Sequence, residues 1–218
     1  ESWLLAGPTS PDEVRAHYDD WAGEYDDALR SWGYDAPERA ARLLLDALGP
    51  NGAPDIGAAC VLDAGCGTGL AGAALRAAGF GGRLIGFDLS PTSLELAAAR
   101  AVYDDLVVTD LQAPLRLADG AVDALLCVGV LTYVPDTEAV WREFARVVVP
   151  GGTIVCTQRA DVWHERRCHA TLDRLERDGT WTATHLSPPV DYMPGNADFG
   201  HTIGVRYLAA RPRAQNER

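Results

Sequence analysis

The 218-residue sequence contains no lysine, so arginine provides every cationic side chain other than histidine. Acidic residues number 31 against 19 arginines, and the formal net charge is −12. A surface of this charge repels the phosphates of nucleic acids and the anionic headgroups of lipids. We therefore expect neither nucleic acid nor a membrane as a binding partner.

The sequence also has no long hydrophobic segment. Its longest uncharged apolar run covers residues 124–131, whereas a membrane-spanning helix needs about 20 apolar residues. The N-terminus has no basic region followed by an apolar block, which argues against a signal peptide. Cysteine is scarce, and the five cysteines form neither a C-x-x-C pair nor a disulfide framework. We therefore expect a cytoplasmic protein with free thiols and without a metal site.

One stretch is rich in glycine and has the form of a ligand-binding turn. Residues 60–64 predict a short buried strand, and residues 70–78 predict a helix. Between them, Gly65, Gly67 and Gly69 alternate with other residues. Glycine lets a ligand approach the main chain closely, and the helix N-terminus presents N–H groups and a positive dipole end. This order of strand, glycine turn and helix predicts a site for a nucleotide-type cofactor.

From residue 60 onward, predicted strands and helices alternate, which indicates a doubly wound, mostly parallel α/β sheet in a single domain. A nearly continuous apolar strand is expected where both faces of a parallel sheet are covered. A ligand should lie at the carboxyl ends of the strands, near the first strand. The further strands are predicted at 83–87, 106–108, 122–128, 153–157, 180–186 and 202–209, and the further helices at 90–100, from 136 onward and at 161–177.

Residues 10–50 predict a helical cap in front of the α/β core, which we place at residues 57–218. Ser10–Glu13 has the form of a helix start, with a capping serine, a proline and an acidic residue. A second helix over residues 38–48 follows, with Asp35 as its N-cap.

The first of these helices has a face that carries tyrosines. Tyr18 and Tyr25 recur at helical spacing, and their hydroxyl groups would need hydrogen-bond partners when buried. We expect Gly23 to divide this segment into two helices, and Gly23 and Gly33 to serve as hinges. The sequence thus predicts that residues 10–34 form a lid over the cofactor.

The glycine stretch admits a dinucleotide as its ligand. Gly67–Gly72 satisfies G-x-G-x-x-G, and Asp88 follows Gly67 by 21 residues. A dinucleotide site places the acid that binds the ribose at about this distance. On the glycines alone, an NAD-linked oxidoreductase is therefore a candidate.

The wider pattern resembles the class I S-adenosylmethionine-dependent methyltransferases over roughly residues 60–160. The stretches similar to that family's motifs are Asp63–Gly69 (D-x-G-x-G-x-G), Phe87–Ser90 with Leu94, Thr109–Leu111, and Val149–Gly152, which resembles its turn before the fifth strand. The resemblance implies a Rossmann-like, seven-stranded, mostly parallel sheet with a C-terminal antiparallel hairpin. It implies S-adenosyl-L-methionine as the cofactor and S-adenosyl-L-homocysteine as the product.

The same resemblance implies roles for particular residues. Asp88 would bind the ribose hydroxyls, Asp110 would accept from the adenine amino group, and Asp63 would brace the glycine turn. Backbone carbonyls near Gly65 and Gly129 would accept from the ammonium group of the cofactor. The cofactor residues expected in this way are Tyr18, Tyr25, Asp63, Gly65, Cys66, Gly67, Gly69, Asp88, Leu89, Leu94, Asp110, Leu111 and Gly129.

A finer resemblance concerns the N-terminal helix. Residues 17–26 are similar to the opening of the methyltransferase-like proteins named after the Williams–Beuren syndrome region, and residues 170–176 resemble a helix of the same proteins. The pattern of residues 17–26 is also found in many small-molecule methyltransferases. We therefore expect methyl transfer to a small-molecule acceptor by a monomer or homodimer, with a non-catalytic cofactor-binding domain as an alternative. No catalytic base is assigned, and the candidate side chains are Tyr133, His164, His169, Tyr192 and His201.

Overall fold

The computed structural model describes residues 10–49, 57–198 and 200–214. The helices are α1 (Pro11–Ser31), α2 (Ala36–Leu48), α3 (Leu70–Ala77), α4 (Pro91–Ala99), α5 (Thr137–Val147), α6 (Ala160–Glu165) and α7 (Cys168–Arg177), with a 3-10 turn at Leu131–Tyr133. The strands are β1 (Cys60–Ala64), β2 (Arg83–Asp88), β3 (Asp105–Val108), β4 (Val122–Cys127), β5 (Val148–Arg159), β6 (Trp181–Leu186), β7 (Val190–Asp191) and β8 (Gly204–Pro212).

All the strands named above join one sheet in the order β3-β2-β1-β4-β5-β8-β6, with β7 paired to β8. Strands β1 to β5 are parallel, and β8 runs antiparallel to β5 and β6. The expected doubly wound sheet with its C-terminal antiparallel hairpin is confirmed. The described part of the chain has eight strands instead of seven, because the short β7 forms between β6 and β8. The strand order reverses between β1 and β4, where such sheets bind their ligands.

Side chains of the central strands alternate between two apolar layers. Leu62 of β1 packs in one layer with Trp141 of α5, and Val61 and Leu126 pack in the other with Leu44 of α2. All five side chains are fully shielded from solvent. Burial of each such side chain stabilises the fold by roughly 1.5–3 kcal/mol. Because helices cover both faces of the sheet, the ends of the strands are left as the place where polar loops can meet a ligand.

The N-terminal helix differs from the expectation in one respect. α1 is continuous from Pro11 to Ser31, so the expected break at Gly23 is wrong. A glycine inside a helix costs about 1 kcal/mol relative to alanine, and Tyr18 and Tyr25, on either side of it, pack edge to face with ring centroids 5.7 Å apart. The helix also makes tertiary contacts, since Tyr18 packs on Tyr133 and Asp26 pairs with Arg100. These contacts override the cost of its glycine.

The helices after β5 and before β1 also differ from the helices expected from the sequence, in their number or in their first residue. Residues 161–177 form two helices instead of one, because Arg167 has a left-handed backbone with φ of 52°. α2 begins at Ala36, two residues before the expected start, with Asp35 as N-cap. The Asp35 carboxylate accepts from Arg39 Nε at 2.7 Å, so it acts as an ion-pair partner within the helix.

The expected turn before the fifth strand lies inside β5, which begins at Val148. The pairing of β4 with β5 is irregular at this point, and Gly151 has φ of 79°. A Cβ atom on Gly152 would lie 2.4 Å from the carbonyl oxygen of Asp123. Glycine is therefore required where the strand makes this bulge against its neighbour.

The five cysteines are free thiols, as expected, and all but Cys60 are buried. Across the described ranges, no helix combines the length and the apolar character needed to cross a bilayer. Within those same ranges, histidine, cysteine and acidic side chains form no group of three that could hold a metal ion.

Candidate functional site

A cleft opens at the carboxyl ends of β1, β2, β3 and β4, and α1 lies across it. It contains about 810 Å³ of atom-free space, its open mouth included. We call it the main cleft. Most of the residues expected to hold a cofactor line it, namely Tyr18, Tyr25, Gly65, Gly67, Asp88, Leu89, Asp110, Leu111 and Gly129.

The glycine loop (residues 65–69) forms one wall of the main cleft. The backbone N–H groups of Gly65 and Cys66 both donate to the carbonyl oxygen of Phe87, at 2.7 and 2.9 Å, and so tie the loop to the end of β2. Gly65 has φ of 78°, and a Cβ atom there would lie 2.3 Å from Cγ2 of Val130. Glycine is thus needed at this position for the loop to pass under the segment that follows β4.

Asp88 stands at the end of β2 and joins the glycine loop to the turn before α4. Its Oδ2 accepts from the N–H of Gly67 at 2.7 Å, and its Oδ1 accepts from the N–H of Ser90 at 2.9 Å. Burial raises the pKa of Asp88, and these N–H groups act in the opposite direction. Each carboxylate oxygen has two lone pairs, so Asp88 can also accept from hydroxyl groups of a ligand in the cleft.

A second carboxylate, Asp110, lies after β3 on the far side of an apolar patch. Its Oδ1 accepts from the N–H of Gln112 at 2.8 Å, which orients the side chain. Leu89 and Leu111 line the cleft beside the two acids. An apolar slot between two hydrogen-bond acceptors suits a flat, nitrogen-rich ring that carries an amino group and is attached to a diol.

Four of the expected cofactor residues do not line the main cleft, namely Asp63, Cys66, Gly69 and Leu94. Asp63 is fully buried and accepts a hydrogen bond of 2.7 Å from the hydroxyl of Tyr103, and burial raises its pKa to about 7. Its hydrogen bonds with Tyr103 and with the N–H of Gly72 tie β1 to the first turn of α3, and its bracing of the glycine loop stays a prediction. Cys66 and Leu94 are buried and Gly69 is the N-cap of α3, so these residues lie outside the lining of the main cleft, and their role in cofactor binding stays a prediction.

Two carboxylates of α1 join this helix to the cleft, and sequence reasoning missed them. Asp26 accepts from the hydroxyl of Thr68 at 2.6 Å and forms an ion pair with Arg100. Arg100 Nε donates to the carbonyl oxygen of Thr68 at 2.5 Å. Asp19 accepts from the hydroxyl of Ser90. The resemblance at residues 17–26 includes both acids but gives no sign of their partners, which lie far along the chain.

A smaller chamber adjoins the main cleft and shares Tyr18, Tyr25, Gly129 and Tyr133 with it. We call it the tyrosine chamber. It contains about 370 Å³ of atom-free space, open solvent included. Its other described lining residues are Thr132, Arg159, Tyr192, Met193 and Ile203.

The tyrosine hydroxyls around this chamber bond to one another. Tyr18 and Tyr133 share a hydrogen bond, and Tyr34 and Tyr192 share another. Burial raises the pKa of each of these phenols, so all four are neutral at physiological pH. The tyrosine rings in the wall of the chamber are therefore uncharged.

The histidine candidates lie elsewhere. Contrary to the expectation of a place at the acceptor, His164 and His169 are exposed and line neither cavity. His169 Nδ1 accepts from the indole N–H of Trp163 at 2.6 Å, and His201 stands 3.9 Å from Asp191 at the surface. Of the candidate side chains, Tyr133 and Tyr192 are the ones that reach a cavity.

Comparison with known proteins agrees with this geometry. Residues 62–156 match a family model described as a methyltransferase domain. The chain is 39% identical over 182 residues to methyltransferase-like protein 27 of Homo sapiens, covering 81% of this chain and 71% of that protein. It is 31% identical over 137 residues to a ubiquinone biosynthesis O-methyltransferase of Xanthomonas oryzae pv. oryzae, covering 58% of this chain and 55% of that protein.

A solved structure shares the fold at low sequence identity. It is the putative methyltransferase in a complex with the Haloferax volcanii Trm112 methyltransferase activator, with a TM-score of 0.70 and 22% identity over 94% of this chain and 100% of that one. The order of the sheet, the glycine loop with its two following acids and the relative at 39% identity lead to one family. The chain belongs to the class I S-adenosylmethionine-dependent methyltransferases.

Proposed function

We propose that this protein transfers a methyl group to a small molecule bound in the tyrosine chamber. The observation that carries the proposal is that the chamber and the main cleft share four lining residues, so ligands in the two cavities would meet there. The chamber is narrow and walled mostly by buried side chains, so an acceptor that enters it must be small and a folded macromolecule could not enter. The ubiquinone biosynthesis O-methyltransferase among the relatives supports a small acceptor by its name.

The donor groups of S-adenosylmethionine fit the residues of the main cleft. Asp88 would accept from the ribose hydroxyls and Asp110 from the adenine amino group, with Leu89 against the adenine. Carbonyl oxygens of the loops at Gly65 and Gly129 would accept from the ammonium group. When bound, this cofactor supplies an electrophilic methyl group on a sulfonium.

The chain's own residues would act by binding and orientation. Holding the acceptor in line with the methyl group is the main catalytic contribution that such a site makes. Tyr133 lies on the wall that both cavities share, and burial raises the pKa of its phenol. Tyr133 would therefore orient the acceptor as a neutral hydrogen-bonding group, because a phenolate is not available to take up a proton.

We also propose that α1 is a lid over the cofactor, with Tyr18 and Tyr25 near its methionine end. Both tyrosines line the main cleft together with Gly65 and Gly129, which supports this placement. Gly33 lies in the short connection between α1 and α2 and remains the candidate hinge, since α1 runs unbroken through its other glycine. A monomer or homodimer without nucleic acid or membrane partners remains our proposal for the assembly.

The experiment measures cofactor preference first and turnover second. S-Adenosylhomocysteine at about 100 times its Kd should stabilise the fold by about 2.7 kcal/mol and raise the melting temperature, while NAD should not. Methyl-labelled S-adenosylmethionine is then incubated with pooled small molecules, with a folded protein and with RNA. Label in the small-molecule fraction supports the proposal. A melting shift with NAD alone, or label in the protein or RNA fraction alone, contradicts it.

A further inference from the structure

The described lining of the tyrosine chamber includes one basic side chain and no acidic one. Nine described residues line it, and the basic one among them is Arg159. The tyrosines are neutral because burial raises the pKa of their phenols. Among the described lining residues, the charged group is therefore a guanidinium, and its ion-pair partner Asp161 lies outside the lining.

Arg159 stands at the end of β5 with its side chain only 7% exposed. Its Nε donates to Oδ1 of Asp161 at 3.1 Å and its Nη2 donates to Oδ2 at 2.5 Å. The side chain of Asp161 is 53% exposed. Water screens the charge of the half-exposed Asp161 carboxylate more than that of the buried Arg159 guanidinium. The guanidinium is therefore the member of the ion pair that faces the protein interior.

The charge of Arg159 reaches the walls of the chamber. Burial raises the pKa of Tyr133 and of Tyr192, and the positive charge of Arg159 acts on both in the opposite direction. These two phenols belong to different parts of the chain, one after β4 and one after β7. A ligand between them would therefore lie within reach of the same charge.

The rest of the chamber suits a flat apolar body. Tyr18 packs edge to face with Tyr25 and with Tyr133, with ring centroids 5.7 and 5.9 Å apart. Met193 and Ile203 add apolar surface to the lining. Aromatic side chains favour stacked or edge-on contact with another ring, and methionine adapts its shape to such a ring.

We propose that the small molecule bound in the tyrosine chamber is an aryl carboxylate, with its carboxylate toward Arg159 and its ring among the tyrosines. This inference rests on the proposed function, because it names the class of that acceptor. Guanidinium and carboxylate form short, charge-assisted hydrogen bonds. A cationic ligand would instead meet Arg159 without any acidic residue among those that line the chamber.

The test uses three probes that share one ring system and differ in charge: 2-naphthoate, 2-naphthamide and 2-naphthylmethylammonium. Each is titrated into the full chain saturated with S-adenosylhomocysteine, and the Kd is measured by calorimetry. We expect naphthoate to bind about tenfold or more tightly than the amide, and the ammonium to bind most weakly. Equal affinities, preference for the ammonium, or no binding of any probe would overturn the inference.

Variants then assign the preference to Arg159. Arg159→Gln should bring the Kd values of naphthoate and naphthamide within twofold of each other, while Asp161→Asn should keep the preference or enlarge it. A preference that survives Arg159→Gln, or that disappears in Asp161→Asn, refutes the assignment. If Arg159→Gln does not fold, the assignment is tested by comparing the preference for naphthoate over naphthamide in the unaltered chain and in Asp161→Asn.

Binding of S-adenosylhomocysteine separates this inference from the proposed function. A protein that binds this product but shows no preference for the carboxylate probe refutes the inference alone. A protein that does not bind it refutes the proposed function.

Discussion

The contacts of Asp26 make a direct prediction about the proposed lid. Its carboxylate accepts from the hydroxyl of Thr68 in the glycine loop at 2.6 Å and pairs with Arg100, which itself donates to the carbonyl oxygen of Thr68. One side chain of α1 thus holds both the loop and the end of α4. If α1 closes the cofactor site, weakening these contacts should weaken cofactor binding.

The size of the effect follows from the charge and its exposure. Hydrogen bonds to charged groups contribute about 1.5–3 kcal/mol each when buried. The side chains of Asp26 and Arg100 are 28% and 27% exposed, so water screens the pair in part. We expect Asp26→Asn to cost about 1–2 kcal/mol of lid docking, which corresponds to an increase in Kd of about 5- to 30-fold.

The assay is calorimetric titration of S-adenosylhomocysteine, together with limited proteolysis of residues 10–34. Asp27→Asn is the matched control, because the neighbouring Asp27 pairs with Arg30 on the surface of the same helix and is 84% exposed. Asp26→Asn should bind the product more weakly than the control and be cut faster. If the two variants have the same Kd within twofold and the same cleavage rate, the lid hypothesis is refuted.

Three further predictions concern the cofactor site and its loop. Asp88→Asn should raise the Kd for S-adenosylhomocysteine about tenfold or more, because charge-assisted hydrogen bonds are lost. Asp110→Asn should raise this Kd less. A calorimetric Kd that is unchanged in Asp88→Asn would contradict the role of Asp88 in cofactor binding. Burial raises the pKa of Asp63 to about 7 in the folded state, above its usual value near 4. The contribution of protonated Asp63 to the free energy of unfolding is therefore fully present below about pH 4 and is lost as the pH rises through about 7. The melting temperature of Asp63→Asn should therefore fall less between pH 4 and pH 8 than that of the unaltered chain, and identical slopes would refute this. Gly65→Ala should lower the melting temperature and abolish binding of S-adenosylhomocysteine. Alanine in the left-handed conformation costs about 1–2 kcal/mol, and its Cβ atom would lie 2.3 Å from Val130. Normal binding by this variant would contradict the geometry of the glycine loop.

The order of the elements and the place of the main cleft were predictable because they depend on local sequence. A buried strand, a glycine turn and a helix in succession favour one geometry, and β1 has the bounds expected from residues 60–64. Repetition of strand and helix then favours a parallel sheet. Because the carboxyl ends of parallel strands meet at one edge, the acid that ends β2 and the acid that follows β3 had to lie near the glycine loop.

Tertiary structure alone decided which side chains meet across distant elements. The partners Asp26 and Arg100 are 74 positions apart in the chain, and no local pattern links them. Arg159 became a candidate ligand residue only because β5 ends beside a chamber that tyrosines from α1 also line. Such juxtapositions depend on the packing of helices against the sheet, and packing contacts also kept α1 whole through Gly23. The spacing of residues along the chain shows which of them share one face of a helix or strand. The residues that this face contacts depend on the complete fold.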